Sequence, residues 1–307
     1  MAAAIEIEGL TKTYGFGVDT VTAVDALDLT VGQGEVFGFL GPNGAGKTTT
    51  VQMLMQIIFP TSGRGSLLGK DLGDISAREQ IGYLPELFQF HSFLRADEFL
   101  DFHARLYGVP AGERPRRIEE ILDLVGLTDN SRSRLRTFSK GMLQRIGIAQ
   151  AIINKPKLLF LDEPTSALDP MGRRDIRDLV LKLREDGTTV FLNSHLLSEV
   201  EMTCTLIGII NKGKLVRVGD MQSMVQPTQC VDIRVEGLNE ETRGKIMEFA
   251  TKFENRNGEI TVTLEKEDQV PVLARMIMDS GAQLLEFTPR SQQLEEVFMQ
   301  SIEESNQ

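Results

Sequence analysis

Residues 35–58 read EVFGFLGPNGAGKTTTVQMLMQII, and the reading of this stretch decides the fold. EVFGFL at 35–40 is a compact apolar run of strand length. GPNGAGKT at 41–48 fits the G-x-x-x-x-G-K-[ST] phosphate loop, and TTTVQMLMQII after it carries apolar residues at helical spacing. Glycines let the backbone turn tightly enough for successive N–H groups to face phosphate oxygens, and the helix adds the positive end of its dipole. Gly41, Pro42, Asn43, Gly44, Ala45 and Gly46 form the cradle. Lys47 can reach the β- and γ-phosphates, and the Thr48 hydroxyl, with Thr49 beside it, can face Mg²⁺.

A second stretch adds chemistry. LLFLDEP at 158–164 is an apolar strand ending in two acids, which places them at the carboxyl edge of a sheet, where ligands collect. Asp162 suits Mg²⁺ and Glu163 suits the general base that polarises an attacking water.

Strands are expected at IEIEGLTKTY, VTAVDALDLTV, EVFGFL, KLLFLDEP and TTVFLNSH, the last of these ending in His195. Helices are expected at EFLDFHARLYG, RIEEILDLVGL, RIGIAQAIIN (145–154) and MGRRDIRDLVLKLRED. The alternation implies an α/β fold with a parallel sheet covered on both faces. The pattern changes near MVQPTQ at 224–229, where Pro227 reads as a linker. Beyond it come CVDIRV, EETRGKIMEFATKF, EITVTLE, VPVLARMIMDSG, AQLLEF and SQQLEEVFMQSIEE, three strands alternating with three helices in a small α/β or α+β domain.

Taken in order, these stretches resemble an ATP-binding cassette (ABC) ATPase, the nucleotide-binding subunit of an ABC transporter. FSKGMLQR at 138–145 resembles the family signature, SALD at 166–169 the D-loop, and His195 the switch histidine. Glu86 in GYLPE occupies the Q-loop position, and Tyr14 the place of an adenine-stacking aromatic. The resemblance implies an ABC ATPase domain over 1–225, with a helical subdomain at about 90–150, and an acidic accessory domain over 228–307. It further implies that two cassettes pair head to tail around ATP and Mg²⁺. Ser139 and Gly141 of one would meet the γ-phosphate held by the other, and Asp169 would link the two sites. Thr48, Glu86 and Asp162 are the implied metal-side residues, and Glu163, His195 and Lys47 the catalytic ones.

Four positions depart from the commonest family pattern. Glu86 stands where glutamine is usual, adding charge near the phosphates. Lys140 and Met142 replace glycine and glutamine in the signature, and Phe138 replaces leucine. The resulting S-K-G-M, with the ending LEEVFM, resembles cassettes of drug, antibiotic and polysaccharide exporters of the type-2 group.

Composition sets the remaining bounds. The 307 residues carry 44 acids against 33 bases, a net charge of −11 that argues against general nucleic-acid binding. Residues 1–227 hold 28 acids and 25 bases, and residues 228–307 hold 16 and 8, so the charge belongs to the last quarter. Two acidic appendages would repel, and are expected to stay apart or to dock a basic surface. Two cysteines offer no disulfide framework and suit a reducing cytoplasm. The opening MAAAIEIEGL lacks a signal-peptide pattern, and the longest apolar run, VFGFLG, has six residues where a span needs about 20.

The expected function is therefore an ATPase that powers a separate multi-span permease, with cytoplasmic placement at the membrane's inner face through that partner. The alternatives are a non-transport ABC ATPase of DNA maintenance or translation, and a nucleotide-gated scaffold without useful turnover. His91 and His103 read as structural, RPRR at 114–117 and RSRLR at 132–136 as solvated faces, and LFQFHSFL at 87–94 as either core or a docking surface.

Overall fold

The computed structural model describes residues 2–15, 19–166, 168–224, 230–256, 259–290 and 294–306. Pro227, read as a linker, and Ala167 of SALD lie outside the described residues. Two compact units divide the chain, one of residues 1–221 with 301–307 and one of residues 222–300. This division differs from the expected 228–307: residues 301–306 go with the larger unit, where the Asn211 side chain donates to Ser305 Oγ at 2.6 Å.

The larger unit runs through β1 (Ala3–Tyr14), β2 (Val21–Gly32), β3 (Val36–Leu40), α1 (Lys47–Leu54), β4 (Ser62–Leu67), β5 (Lys70–Asp71), α2 (Ile75–Arg78) and β6 (Ile81–Leu84). Then follow α3 (Ala96–Leu106), α4 (Arg114–Leu124), α5 (Lys140–Ala151), β7 (Leu158–Asp162), α6 (Pro170–Glu185) and β8 (Thr189–Asn193). The series closes with α7 (Leu197–Thr203), β9 (Leu206–Asn211), β10 (Lys214–Asp220) and, across the division, α8 (Met221–Met224). Among the described residues the strands of this unit form two sheets: an antiparallel one in the order β2-β1-β4-β5, and a second in the order β10-β9-β3-β8-β7-β6. The second is parallel except for its β10 edge, so the sheet is mixed.

Strands β3, β7 and β8 are buried along their whole length, as their unbroken apolar runs require. Phe37, Phe160 and Phe191 stack across them, with ring centroids 5.2 and 5.3 Å apart, and Phe39 joins at 5.4 Å. This aromatic core fixes where the strands end, and with them the phosphate loop and the two acids. Near the site, two boundaries differ in a way that bears on its residues. The fifth helix begins at Lys140 rather than Arg145, because the Ser139 hydroxyl caps it by accepting from the Met142 amide at 3.3 Å. Strand β8 ends at Asn193, two residues before His195.

The smaller unit holds β11 (Cys230–Glu236), α9 (Glu240–Phe249), β12 (Lys252–Arg256), β13 (Glu259–Thr263), α10 (Val270–Asp279) and β14 (Gln283–Arg290), and α11 (Leu294–Glu304) begins in it. Its strands make an antiparallel sheet in the order β12-β13-β11-β14. Val231, Ile233, Ile260 and Val262 point to one face, where Ile246, Leu273 and Ile277 of the helices complete the core. The expected helix through Phe253 is corrected: it ends at Phe249, and Lys252–Arg256 pairs with Glu259–Thr263 instead. Among the described residues no helix is long and apolar enough to cross a membrane.

Candidate nucleotide site

The phosphate loop is held open by its own backbone. Gly44 and Gly46 take positive φ values of 78° and 105°. At Gly46 a side chain would also overlap the Ala23 carbonyl oxygen of β2, so this position admits only glycine. Helix α1 starts directly behind, with no side-chain cap on its first amides, which leaves N–H groups free for an anion.

Lys47 is buried and turns back on the loop, its ammonium donating to Gly41 O at 2.7 Å and Pro42 O at 3.2 Å. Burial lowers its pKa, and the carboxylates of Glu163, Asp162 and Glu86 oppose that shift. The cation is thus matched against three acids.

Parallel pairing sets Asp162 opposite Asn193, at the ends of adjacent strands. The Asn193 amide donates to Asp162 Oδ1, while Asp162 Oδ2 is buried without a hydrogen-bond partner. Burial pushes the Asp162 carboxyl up to about 6, against the Asn193 hydrogen bond and Lys47, and with help from Glu86 and Glu163. The same environment raises Tyr83 to about 12, by burial first and Asp162 second.

Glu163 departs from the strand in a left-handed conformation, φ 52°, unusual for a residue with a side chain. Its amide donates to Asn193 O at 2.8 Å, which bends the chain and turns the side chain toward His195. His195 Nδ1 lies 2.7 Å from Glu163 Oε2. The carboxylate is nearly buried, whereas the imidazole is half exposed.

A cleft of about 430 Å³ gathers part of this set: residues 43–49 of the loop line it with Glu86, Glu163 and His195, whereas Gly41, Pro42 and Asp162 do not. Asn193 and Ala23 line it as well, and neither was singled out in the sequence. Asn193 was findable, since NSH ends a strand whose neighbour ends in DEP. Ala23 carries no such signal, because it contributes backbone. Ser139, Gly141, Asp169 and Tyr14 do not line the cleft. Ser139 caps α5, and Asp169 caps α6 by accepting from the Gly172 amide at 2.8 Å. Tyr14 ends β1, 43% exposed, with the Lys12 ammonium 5.1 Å from its ring centroid.

The secondary candidates are satisfied locally. His103 packs its ring 4.5 Å from Phe99 and 5.3 Å from Phe102, and burial, aided by His91, lowers its pKa to about 4. In RPRR, Arg116 pairs with Glu120 at 2.9 Å, and Arg117 donates to the carbonyls of Ile152 and Ile153. Near Phe88 and Phe90, Leu87 and Phe93 are strongly exposed, so LFQFHSFL is only partly core.

The family model described as ABC transporter matches residues 24–166. An ABC transporter ATP-binding protein of Synechocystis is 44% identical over 80% of this chain and 71% of its own length. The linearmycin resistance ATP-binding protein LnrL of Bacillus subtilis is 37% identical over 77% of this chain and 76% of its own. For the bacitracin transport ATP-binding protein BcrA of Bacillus licheniformis the values are 41%, 70% and 69%. Among solved structures, a dimeric post-hydrolysis state of the ATP-binding cassette MJ0796 bound to ADP and Pi superposes with a TM-score of 0.65 at 26% identity, covering 71% of this chain and 99% of that one.

Proposed function

The chain belongs to the family of ABC transporter ATP-binding proteins, and from that membership we propose that it powers a separate membrane permease that exports its cargo. It is an ATP-binding cassette ATPase. The observation that carries the rest is the division of the motifs. One chain gathers the phosphate loop, Glu163 and His195 in a cleft, while Ser139 and Gly141 lie elsewhere. A site split in this way is completed by a second cassette, whose signature would close over the γ-phosphate at the N-terminal end of its own α5. The solved neighbour MJ0796 is dimeric, which supports this reading.

In the closed site Lys47 would exchange its loop carbonyls for phosphate oxygens. Glu163 would accept a proton from the attacking water, and His195 would orient that water and the γ-phosphate. Tyr14 would offer adenine the ring face away from Lys12, and Asp169 would tie one site to its twin.

The Mg²⁺ that ATP brings fits the residues present. Magnesium takes one or two carboxylates and completes its shell with phosphate and water. Asp162 offers a buried, unpartnered Oδ2, and no group of three or more His, Cys, Asp or Glu forms a fuller cage among the described residues. Asp162, Thr48 and Glu86 would hold the ion, which when bound neutralises phosphate charge.

Export is favoured by the linearmycin resistance and bacitracin transport relatives. Placement on the cytoplasmic face of the membrane follows from that partner, as does a peripheral attachment. The transporter names of the relatives leave a DNA-maintenance role without support.

The test is assembly. With Glu163→Gln and ATP, the chain is expected to form a stable dimer by light scattering, and Ser139→Arg in the same background to remain monomeric while binding ATP. Solubilised in detergent, the native protein should bring a multi-span chain with it. A Glu163→Gln protein that binds ATP but never dimerises, or a native complex without a membrane chain, would overturn the proposal.

A further inference from the structure

The turn between β9 and β10 hydrogen-bonds to the phosphate loop, and Ser305 and Asn306 hold the residue before it. Asn211 and Lys214 are register partners, so only Lys212 and Gly213 make the connection. Both have positive φ, 47° and 82°. Two-residue turns of this shape favour asparagine or glycine at the first position, and lysine there is disfavoured. Local sequence therefore does not set the turn, and other contacts must.

Those contacts form a chain of hydrogen bonds. The Gly213 amide donates to Ala45 O of the phosphate loop at 2.9 Å, and Gly213 O accepts from the Asp25 amide of β2 at 2.8 Å. A side chain at Gly213 would crowd the Ala23 carbonyl, the same group that excludes a side chain at Gly46. Lys214 pairs with Asp25 at 3.3 Å. On the other side of the turn the buried Asn211 amide donates to Ser305 Oγ at 2.6 Å and Asn306 Oδ1 at 3.4 Å. Ser305 Oγ in turn donates to Ile302 O at 2.9 Å, which leaves its lone pairs aimed at Asn211.

We propose that Asn211, anchored by Ser305 and Asn306, is a positioning residue that fixes the phosphate loop for nucleoside triphosphate through Gly213 and Ala45. The role rests on the ATP-binding reading above and adds residues far from any cassette motif. Loosening Asn211 lets the strained turn relax, and Ala45, in the middle of the cradle, moves with it. Binding weakens, while the groups that act on the γ-phosphate remain in place.

The experiment uses the full chain and titrates MgATP against Ser305→Ala, the Ser305→Ala/Asn306→Ala pair, Asn211→Ala and Ser305→Thr. Losing one such hydrogen bond is expected to raise KM and the ATP dissociation constant about threefold to tenfold, with kcat at saturation within about twofold. Ser305→Thr keeps the hydroxyl and should restore both. Should Asn211→Ala fail to fold, the Ser305 variants decide alone. Unchanged KM in the Ser305→Ala/Asn306→Ala protein, with or without a lower melting temperature, would overturn the inference, as would equal losses in kcat and kcat/KM. Native protein that binds no ATP would instead overturn the underlying reading, and this inference with it.

Discussion

His195 Nδ1 and Glu163 Oε2 stand 2.7 Å apart across the nucleotide cleft, one from the loop after β8 and the other from the end of β7. The half-exposed imidazole thus holds a nearly buried carboxylate by a direct hydrogen bond at the cleft. Glu163→Gln is expected to lower kcat by about 10²–10⁴ while ATP still binds. Steady-state phosphate release beside equilibrium nucleotide binding checks this; hydrolysis at the native rate would remove Glu163 from the role of base.

Asn193 is expected to matter through Asp162. Asn193→Ala leaves a buried carboxylate with neither oxygen bonded, a cost of about 1–3 kcal/mol in stability. Urea unfolding of the nucleotide-free protein reads that loss. The Mg²⁺ concentration giving half-maximal hydrolysis should rise in the same variant, and a shift in neither quantity would show that Asp162 is held by other means.

Gly46→Ala meets the Ala23 carbonyl at a φ of 105°. The loop cannot keep its shape with that side chain, so nucleotide binding should fall below detection, with melting temperature reduced. Gly44→Ala differs: its φ is 78° but nothing lies within 4 Å, so strain alone is added. Its binding should weaken less than that of Gly46→Ala. Equal effects from both would mean that strain, not the overlap with β2, governs the loop.

His103 supplies a pH dependence. Its pKa falls from 6.5 unfolded to about 4 folded, because burial disfavours the charged ring. Between these values the unfolded chain binds more protons, so this stabilisation is complete above pH 6.5 and is lost as pH drops toward 4. His103→Phe keeps the packing against Phe99 and Phe102 and should flatten the slope in thermal melts over that window. An unchanged slope would assign the acid sensitivity to other groups.

Much of this was legible in residues with strong, local signatures. The strands around Phe37 and Phe160 are apolar runs ended by glycine or acid and form where their pattern puts them, while the run around Phe191 stops early, at Asn193. Strands β4 and β12 were missed for a physical reason. Ser62–Leu67 is mostly exposed and has one buried residue, and Lys252–Arg256 offers Phe253 as its single large apolar side chain. Both are specified by pairing with neighbours rather than by their own pattern. Strand β9, LIGIIN, is a buried apolar run of the same kind as β3 and β7. Asn193 and Asn211 act through hydrogen bonds to residues 31 and 94 positions away, and no window of sequence contains both partners.

Lys47, bonded to the carbonyls of its own loop, has one more consequence. The ammonium and the carbonyls that hold the cradle belong to one chain, so the ordering cost of that contact falls in folding. Nucleotide entry then exchanges one set of oxygens for another on the same ammonium. Association at the phosphate end should behave as docking to a rigid receptor, with little heat-capacity change from the loop itself.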